Sequence, residues 1–575
     1  MRNIWKVGAL GAVFGAVLSV GGCQDFDAAY EKCVAEGRCE PDGGTADAGD
    51  GGRSDAGDAG PECIPSSIPD QPDDQGLDTD CDGVDGVADA GYFVDPAGGN
   101  DTTGDGSRER PFGTLAHALE QVRTNASGRT TLYLARGTYN EASTEVTVPV
   151  SLHGGYSRRG TTNDWDRFTD GGTLIDGGTL AFTVRDVTDA RVLLDGLHIA
   201  SNDALNDSES SIALRAIHTA NLQLHNTRVE AGLGGPGNKG SPASPDVKGA
   251  PGIPGGAAQP SGTGSIPGDQ GTGGTSTCSV SGAGVGGPGG SGVVRDQGET
   301  GGTGEPATKG GAGGADAGPV DNSGAFNCVG GPGLDGDPGA EGTPGGPGDA
   351  GFGMGFLNVD AGVWVTRPTQ KGAPGVGGRI GAGGGGGGSG GTCSDRTVKA
   401  TETAASGGGG GGGGGGCGGA PGGGGGAGGA SIALLLIDAQ AVVEGNSLLT
   451  TRGGGPGGDG APGGNGGQGG DGSDGGAGIK VDAVSKLPTF YSSIGGRGGR
   501  GGRGGNGGPG GAGGGGAGGP SVGVWCGPDA GLTLEDTNSV VPGNGGNGGT
   551  STGNPGTPGA QSQSIDCVIV DAGTP

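Results

Sequence analysis

The chain reads as an all-β solenoid, a column of stacked strand–turn–strand coils with long glycine-rich excursions from one edge. Three observations predict it. First, short apolar segments of one design recur: Ile212, Leu214 and Ile217 with Leu222, Leu224 and Val229 behind them, then Ile432, Leu434 and Ile437 with Val442, Val443, Leu448 and Leu449. Each spans about 20 residues, the size of one coil, and apolar and polar residues alternate so that one face points inward. Second, glycine stands at every third position over residues 330–351, 454–478 and 495–519. Third, 156 of 575 residues are glycine and only 3% are aromatic. Bulky side chains are too few for one compact core and suit a stack of thin layers.

The formal net charge is −30. Such acidity keeps a chain soluble and disfavours nucleic acid, whose phosphates need a basic face. Residues 1–22 read as an export signal: Arg2 and Lys6 lead an apolar stretch, 7–20, too short and glycine-broken to span a bilayer. It closes on Leu18, Ser19, Val20, Gly21, Gly22 and Cys23. This resembles the lipobox of bacterial lipoproteins, which implies that Cys23 is lipidated and anchors the chain in a membrane; Val20 stands where the family has Leu. An ordinary signal cut near Gly22 would instead leave Cys23 a plain thiol. Gln24 replaces the Asp that retains enterobacterial lipoproteins at the inner membrane, so the resemblance implies the outer membrane or cell surface of a Gram-negative bacterium. The ten other cysteines form local pairs, Cys33/Cys39, Cys63/Cys81, Cys278/Cys328, Cys393/Cys417 and Cys526/Cys567. An even number in an exported chain reads as disulfides, with adjacent pairing the expectation; no CxxC spacing suggests zinc.

Residues 23–91 read as an acidic tether, too poor in apolar surface to offset its ordering entropy. Within it, Asp78, Asp80 and Asp82 alternate ahead of Gly83, with Asp85 and Asp89 beyond. Alternate oxygen ligands followed by a turn glycine suit calcium, and a solvated acidic turn is the plainer alternative. The stretch 63–86, with Cys63, Cys81 and these aspartates, looks like the aspartate-rich metal-binding motif of Gram-negative surface proteins. That resemblance implies calcium as the one cofactor.

The body begins at Tyr92. Tyr92, Phe93 and Val94 form a strand; Leu115, Ala118, Leu119 and Val122 recur at helical spacing behind Thr114 as N-cap; Leu132 to Leu134 is a strand and Gly137 to Tyr139 a turn. With Gly99-Asn100-Asp101, Pro111 to Leu115, Ala135 to Tyr139 and Gly154-Gly155-Tyr156, this order resembles the N-terminal part of right-handed parallel β-helix proteins of the pectin-lyase-like superfamily. The resemblance implies that the helix caps the open end of the column and blunts its sheet edge. The expected organisation is therefore an N-terminal β-helix part at 92–232, a glycine-rich insertion at 233–350, one coil at 351–371 around Phe356, Leu357, Val363, Trp364 and Val365, a second insertion at 372–430, and coils alternating with glycine runs over 431–575, including one at Ile479 to Val481.

A threefold helix of about 3.1 Å per residue carries the 24 steps from Gly454 to Gly478 about 75 Å. Coils sit only about 4.8 Å apart, so each run must double back. Packed polyglycine helices, a glycine brush and a collagen triple helix are the three possibilities; Gly-Gly-x triplets with little proline weigh against collagen. In composition the runs are similar to mycobacterial glycine-rich surface proteins, without that family's N-terminal helical domain. Arg497, Arg500 and Arg503 project from one side of such a helix, either to grip anionic polysaccharide or to compensate neighbouring acidic charge.

No catalytic residue is assigned. Asp186, Asp189 and Asp195, with His198, His218 and His225, are candidates by type, yet they sit at expected turns and read as structural. No nucleophile elbow or phosphate loop occurs. The expected function is that of a lipid-anchored surface protein, structural or adhesive, meeting envelope or matrix glycans or other envelope proteins. The alternative is a polysaccharide lyase or glycoside hydrolase, which would need carboxylates and an arginine clustered in a groove between coils.

Overall fold

The computed structural model describes residues 63–575, apart from 67–68, 125–126, 160–162, 171, 246, 262–263, 279–281, 295, 306–326, 393–403, 486–488 and 572–575. The signal segment, Cys23, Cys33 and Cys39 lie outside the described residues.

The column is an all-β parallel β-helix with three stacks of strands. Each inner row is a column of apolar residues in register. One runs Phe182, Leu214, Leu434, Val524; the next Leu152, Leu194, Leu224, Val443, Leu534; the third Tyr139, Ile175, Ile199, Val229, Leu449, Val540. Most are fully buried, each aliphatic contributing about 1.5–3 kcal/mol. The strands Ser211–His225 and Ser431–Glu444 each serve two stacks by bending at a left-handed residue, His218 in one and Asp438 in the other. At the last coil the first row ends on Ser564, opposite Val524, so the apolar column tapers into polar side chains. The helix Leu115–Thr124 buries Leu115, Ala118, Leu119 and Val122.

Ser211–His225 pairs directly with Ser431–Glu444, and Arg228–Leu233 with Leu448–Gly453. The described residues between them therefore leave the column and return. They form a bundle of extended glycine helices joined by backbone hydrogen bonds at every third residue. Gly333, Gly336, Gly339 and Gly342 donate N–H groups to the carbonyls of Arg497, Arg500, Arg503 and Asn506 at 2.8–2.9 Å. Run 454–478 leads outward, the hairpin of Lys480–Ser485 and Thr489–Ile494 reverses the chain, and run 495–519 returns. This is the packed arrangement; the described runs are neither a brush nor a collagen triplex.

Run 407–429 lies at the centre. Its N–H groups at Gly411, Gly412 and Gly413 donate to Ile253, Gly287 and Gly502, while its carbonyls at Gly409, Gly410 and Gly411 accept from Gly271, Gly387 and Ser473. Six surrounding segments are thus engaged, three through N–H groups and three through carbonyls. A Cβ on Gly411, Gly412 or Gly413 would come within 2.0 Å of Thr272 O, Gly384 O or Gly470 O respectively. That crowding explains ten consecutive glycines at 407–416. Flanking runs have one open side and read Gly-Gly-x; run 330–351, bonded to two neighbours, mostly reads Gly-x-x.

Three expectations are corrected. Residues 351–371 are not a coil: Phe356–Asn358 and Val363–Val365 form an antiparallel hairpin. Its Trp364 packs on the outer face of the column against Ile212, Ile217, Ile432 and Trp525, whose outward apolar rows need cover. Ile479 to Val481 belongs to the bundle's antiparallel hairpin for the same geometrical reason, a glycine run that must reverse. The third correction concerns two disulfides. Cys278 bonds Cys417, so the expected pairs Cys278/Cys328 and Cys393/Cys417 do not form. Folding back sets the central run beside the strand Thr275–Cys278, whereas Cys328 is carried elsewhere: its strand, Asn327–Val329, pairs with Thr489–Ile494 and places Cys328 opposite Ser493. Cys393 lies outside the described residues. Cys63 bonds Cys81 and Cys526 bonds Cys567, as adjacent pairing expects.

Candidate functional site

Residues 69–91, expected within the tether, instead fold against the column flank. Val84 pairs with Trp165, Trp165 N donates to Gly83 O at 2.8 Å, and the hydroxyls of Tyr133 and Tyr156 donate to Val87 O and Asp85 O at 2.9 and 2.7 Å. Aromatic cover supplied by Phe93, Tyr133, Tyr156 and Trp165 gives this acidic segment the apolar partner that its own sequence lacks.

Its aspartates divide into two uses. Asp78 accepts from the N–H groups of Asp82 and Gly83, and Asp82 accepts from those of Val84 and Ala88, at 2.8–3.1 Å. Carboxylate oxygens of Asp70, Asp78 and Asp80 lie within 4.8 Å of one another, a hard-oxygen set that suits calcium. Asp70, almost fully buried and bonded by Thr79 Oγ1 and Gly86 N, was not singled out in the sequence; its place eight residues before Asp78 gave no motif. Of the other expected ligands, Asp82 serves the turn, Asp89 is exposed, and Asp85 faces Arg167 at 3.5 Å with both side chains 1% exposed. Burial pushes the Asp85 carboxyl up to about 7, against the opposing pull of the Asp73 N–H and the Arg167 charge.

Arg167 opens a chain of charges across the coils. Stacking in register sets His153 beside Asp195, Asp195 beside His225, and His225 beside Glu444. His153 Nδ1 lies 2.7 Å and His225 Nδ1 2.9 Å from Asp195, whose Oδ2 also takes the Arg167 guanidinium. Burial alone would raise Asp195; hydrogen bonds from His153 and His225 and the Arg167 charge hold it well below the usual carboxylate range. Burial lowers His153 below its ordinary value. Arg167 and His153 went unread in the sequence, although their coil register was the available signal.

Elsewhere, Asp186 lies 3.1 Å from His218 at an exposed turn, Asp189 is exposed at its turn, and His198 Nε2 lies 3.3 Å from Glu230. The structure therefore brings these candidates together in two separate pairs, Asp195 with His225 and Asp186 with His218, and leaves Asp189 and His198 apart from both.

On the bundle, Arg500 and Arg503 lie 3.6 and 3.7 Å from Asp474 and Asp471 on the adjacent run. Asp335 accepts the Arg500 N–H, and Asn506 donates to Glu341. Arg500 and Arg503 thus lie between acidic side chains of two neighbouring runs, while more than half of each side chain stays exposed.

A family described as a protein of unknown function (DUF1565) matches residues 97–230, the first coils of the column with their capping helix. No curated protein and no solved structure matches the chain.

Proposed function

We propose that this is an exported, lipid-anchored surface protein that displays a rigid glycine-helix bundle from the side of a β-helix, as a structural or adhesive element that meets envelope or matrix glycans. The observation that carries this reading is the separation of roles within the bundle. Backbone hydrogen bonds do most of the holding, which leaves the outward side chains on runs 330–351, 454–478 and 495–519 for contact. Three disulfides among the described residues suit an oxidising compartment, and the Asp70, Asp78 and Asp80 set suits calcium as a stabilising ion for the segment next to the membrane anchor. Display is favoured over polysaccharide cleavage because the carboxylate–arginine cluster lies covered between the column flank and the segment docked on it: Asp195 is 5% and Arg167 1% exposed at the side chain, out of reach of a polymer.

The test has two parts. Metabolic labelling with a radiolabelled fatty acid is expected to mark the full chain and not Cys23→Ala, and protease added to whole cells to remove it. A glycan array probed with the full-length protein, with product analysis, should then show retention without shortened chains. Released oligosaccharide would turn the reading to the lyase or hydrolase; absence from the surface would end it.

A further inference from the structure

We propose that the chain Asp74–His225–Asp195–Arg167–Asp85 is a proton-operated latch that fastens the aspartate-rich segment 69–87 to the β-helix, and so sets how the root of the protein, next to the proposed membrane anchor, is held against its body. The segment meets the column through two contacts with opposite character. At one, Arg167 lies between Asp85 and Asp195 and its Nη1 donates to Asp73 O at 2.9 Å. This contact is buried, and Asp85, which burial pushes up to about 7, also loses its proton over the range tested below, so the share owed to His225 is read from the variants. At the other, His225 stands between two carboxylates: Nδ1 lies 2.9 Å from Asp195 and Nε2 3.9 Å from Asp74. His225 is about a quarter exposed, so it exchanges protons with solvent.

The second contact depends on the proton. With Nδ1–H given to Asp195, a neutral ring turns a lone pair on Nε2 toward the Asp74 carboxylate. Protonation replaces that lone pair with an N–H and places a cation between two anions. The groups around the ring all act in one direction. Asp195 faces it from the coil on one side, Glu444 from the coil on the other, and Asp74 from the docked segment, with Asn226, which donates to Asp74 at 2.6 Å, the neutral neighbour. His153, on the far side of Asp195, is lowered by burial, and Arg167 is held on the other oxygen of Asp195. The hydrogen bond to Asp195, with Asp74 and Glu444 adding to it and partial burial opposing, raises His225 above its ordinary 6.5. A raised folded-state value means that docking is fully supported below 6.5 and that this support is lost as pH rises through the folded value.

Hydrogen–deuterium exchange on the full chain, corrected for intrinsic rates, reads the docking directly from backbone amides in 69–87. Protection there is expected to fall by about threefold to tenfold from pH 6 to pH 8.5, while the inner strands Ser211–His225 and Ser431–Glu444 stay unchanged. His225→Gln and, independently, the milder Asp74→Asn should each reduce this response, leaving only the part that belongs to Asp85 at its contact with Arg167. Unchanged wild-type protection across that range, or the same response in a folded Asp74→Asn protein, overturns the latch. Lipid labelling and surface display are unaffected by either result, so failure here is distinct from failure of the functional reading.

Discussion

The β-helix and the glycine bundle solve the same problem, burying a chain without leaving polar backbone groups unpaired, with opposite materials. In the β-helix, strands pair along two edges and bulky side chains such as Leu214, Leu434 and Leu449 fill the space between stacks. In the bundle there is no such space. Backbones touch, each central residue bonds to neighbours on different sides, and the side chain is what must be absent. One half is specified by what the residues add, the other by what they leave out. Glycine loses more conformational freedom on folding than any other residue, so the bundle depends on an unbroken hydrogen-bond lattice, whereas the column tolerates gaps in proportion to their volume.

The comparison breaks most visibly at a central glycine. Gly412→Leu drives a side chain into Gly384 O, and a loss of more than about 3 kcal/mol is expected, seen as protease cutting within 407–429 while column strands keep their protection. The same leucine at outward Gln468 should change little; equal sensitivity at both positions would remove the lattice account. In the column, Asp195→Asn strips Arg167 of the nearer of its two buried carboxylates and is expected to cost about 3–5 kcal/mol by urea unfolding. Because Asp195 is held low in the folded state, the wild-type advantage should be present above about 3.9 and shrink as pH falls below it. Replacing Cys278 and Cys417 together by Ser should cost about 2–4 kcal/mol, in bundle melting before column melting; a simultaneous shift would mean that the two halves unfold as one. Smallest of all, Arg500→Ala removes an exposed pair with Asp474 and should move stability by less than about 1 kcal/mol.

Much of the column was legible because burial leaves a period in sequence: the paired segments at Ile212 and Ile432 declared themselves by alternation, and the capping helix by the spacing of Leu115, Ala118, Leu119 and Val122. The hairpins at Phe356 and Lys480 show the same short alternation, and no local signal separates a strand that joins the stack from one that reverses a glycine run. Cys278 could not be matched to Cys417, nor parted from Cys328, because their proximity depends on the folding back of the helices. His153 and Arg167 were hard to read for a related reason, since folding brings them to Asp195 from other coils rather than along the chain, and Asp70 meets Asp78 and Asp80 at a spacing that forms no motif. The bundle's plan was in fact written in glycines per triplet. Over the proximal end of run 495–519 the outward position changes from Arg497, Arg500 and Arg503 to Gly515 and Gly518, where residues 543–559 cover it; Gly515 and Gly518 donate to Asn554 and Thr557 there.

The direct pairing of Ser211–His225 with Ser431–Glu444 also bears on how the molecule comes to be made. Residues 226–430 must be synthesised and gathered in before the second strand meets the first. Closing so long a span adds only slowly growing entropy to equilibrium stability, but it delays assembly, since remote contacts govern the rate. The coils before Leu233 can zip up as they emerge, and then wait on an exposed apolar edge until the returning central run delivers Ile432 to it. A chain exported as proposed spends its most vulnerable interval half-finished, which makes the order of translocation as much a determinant of yield as the final free energy.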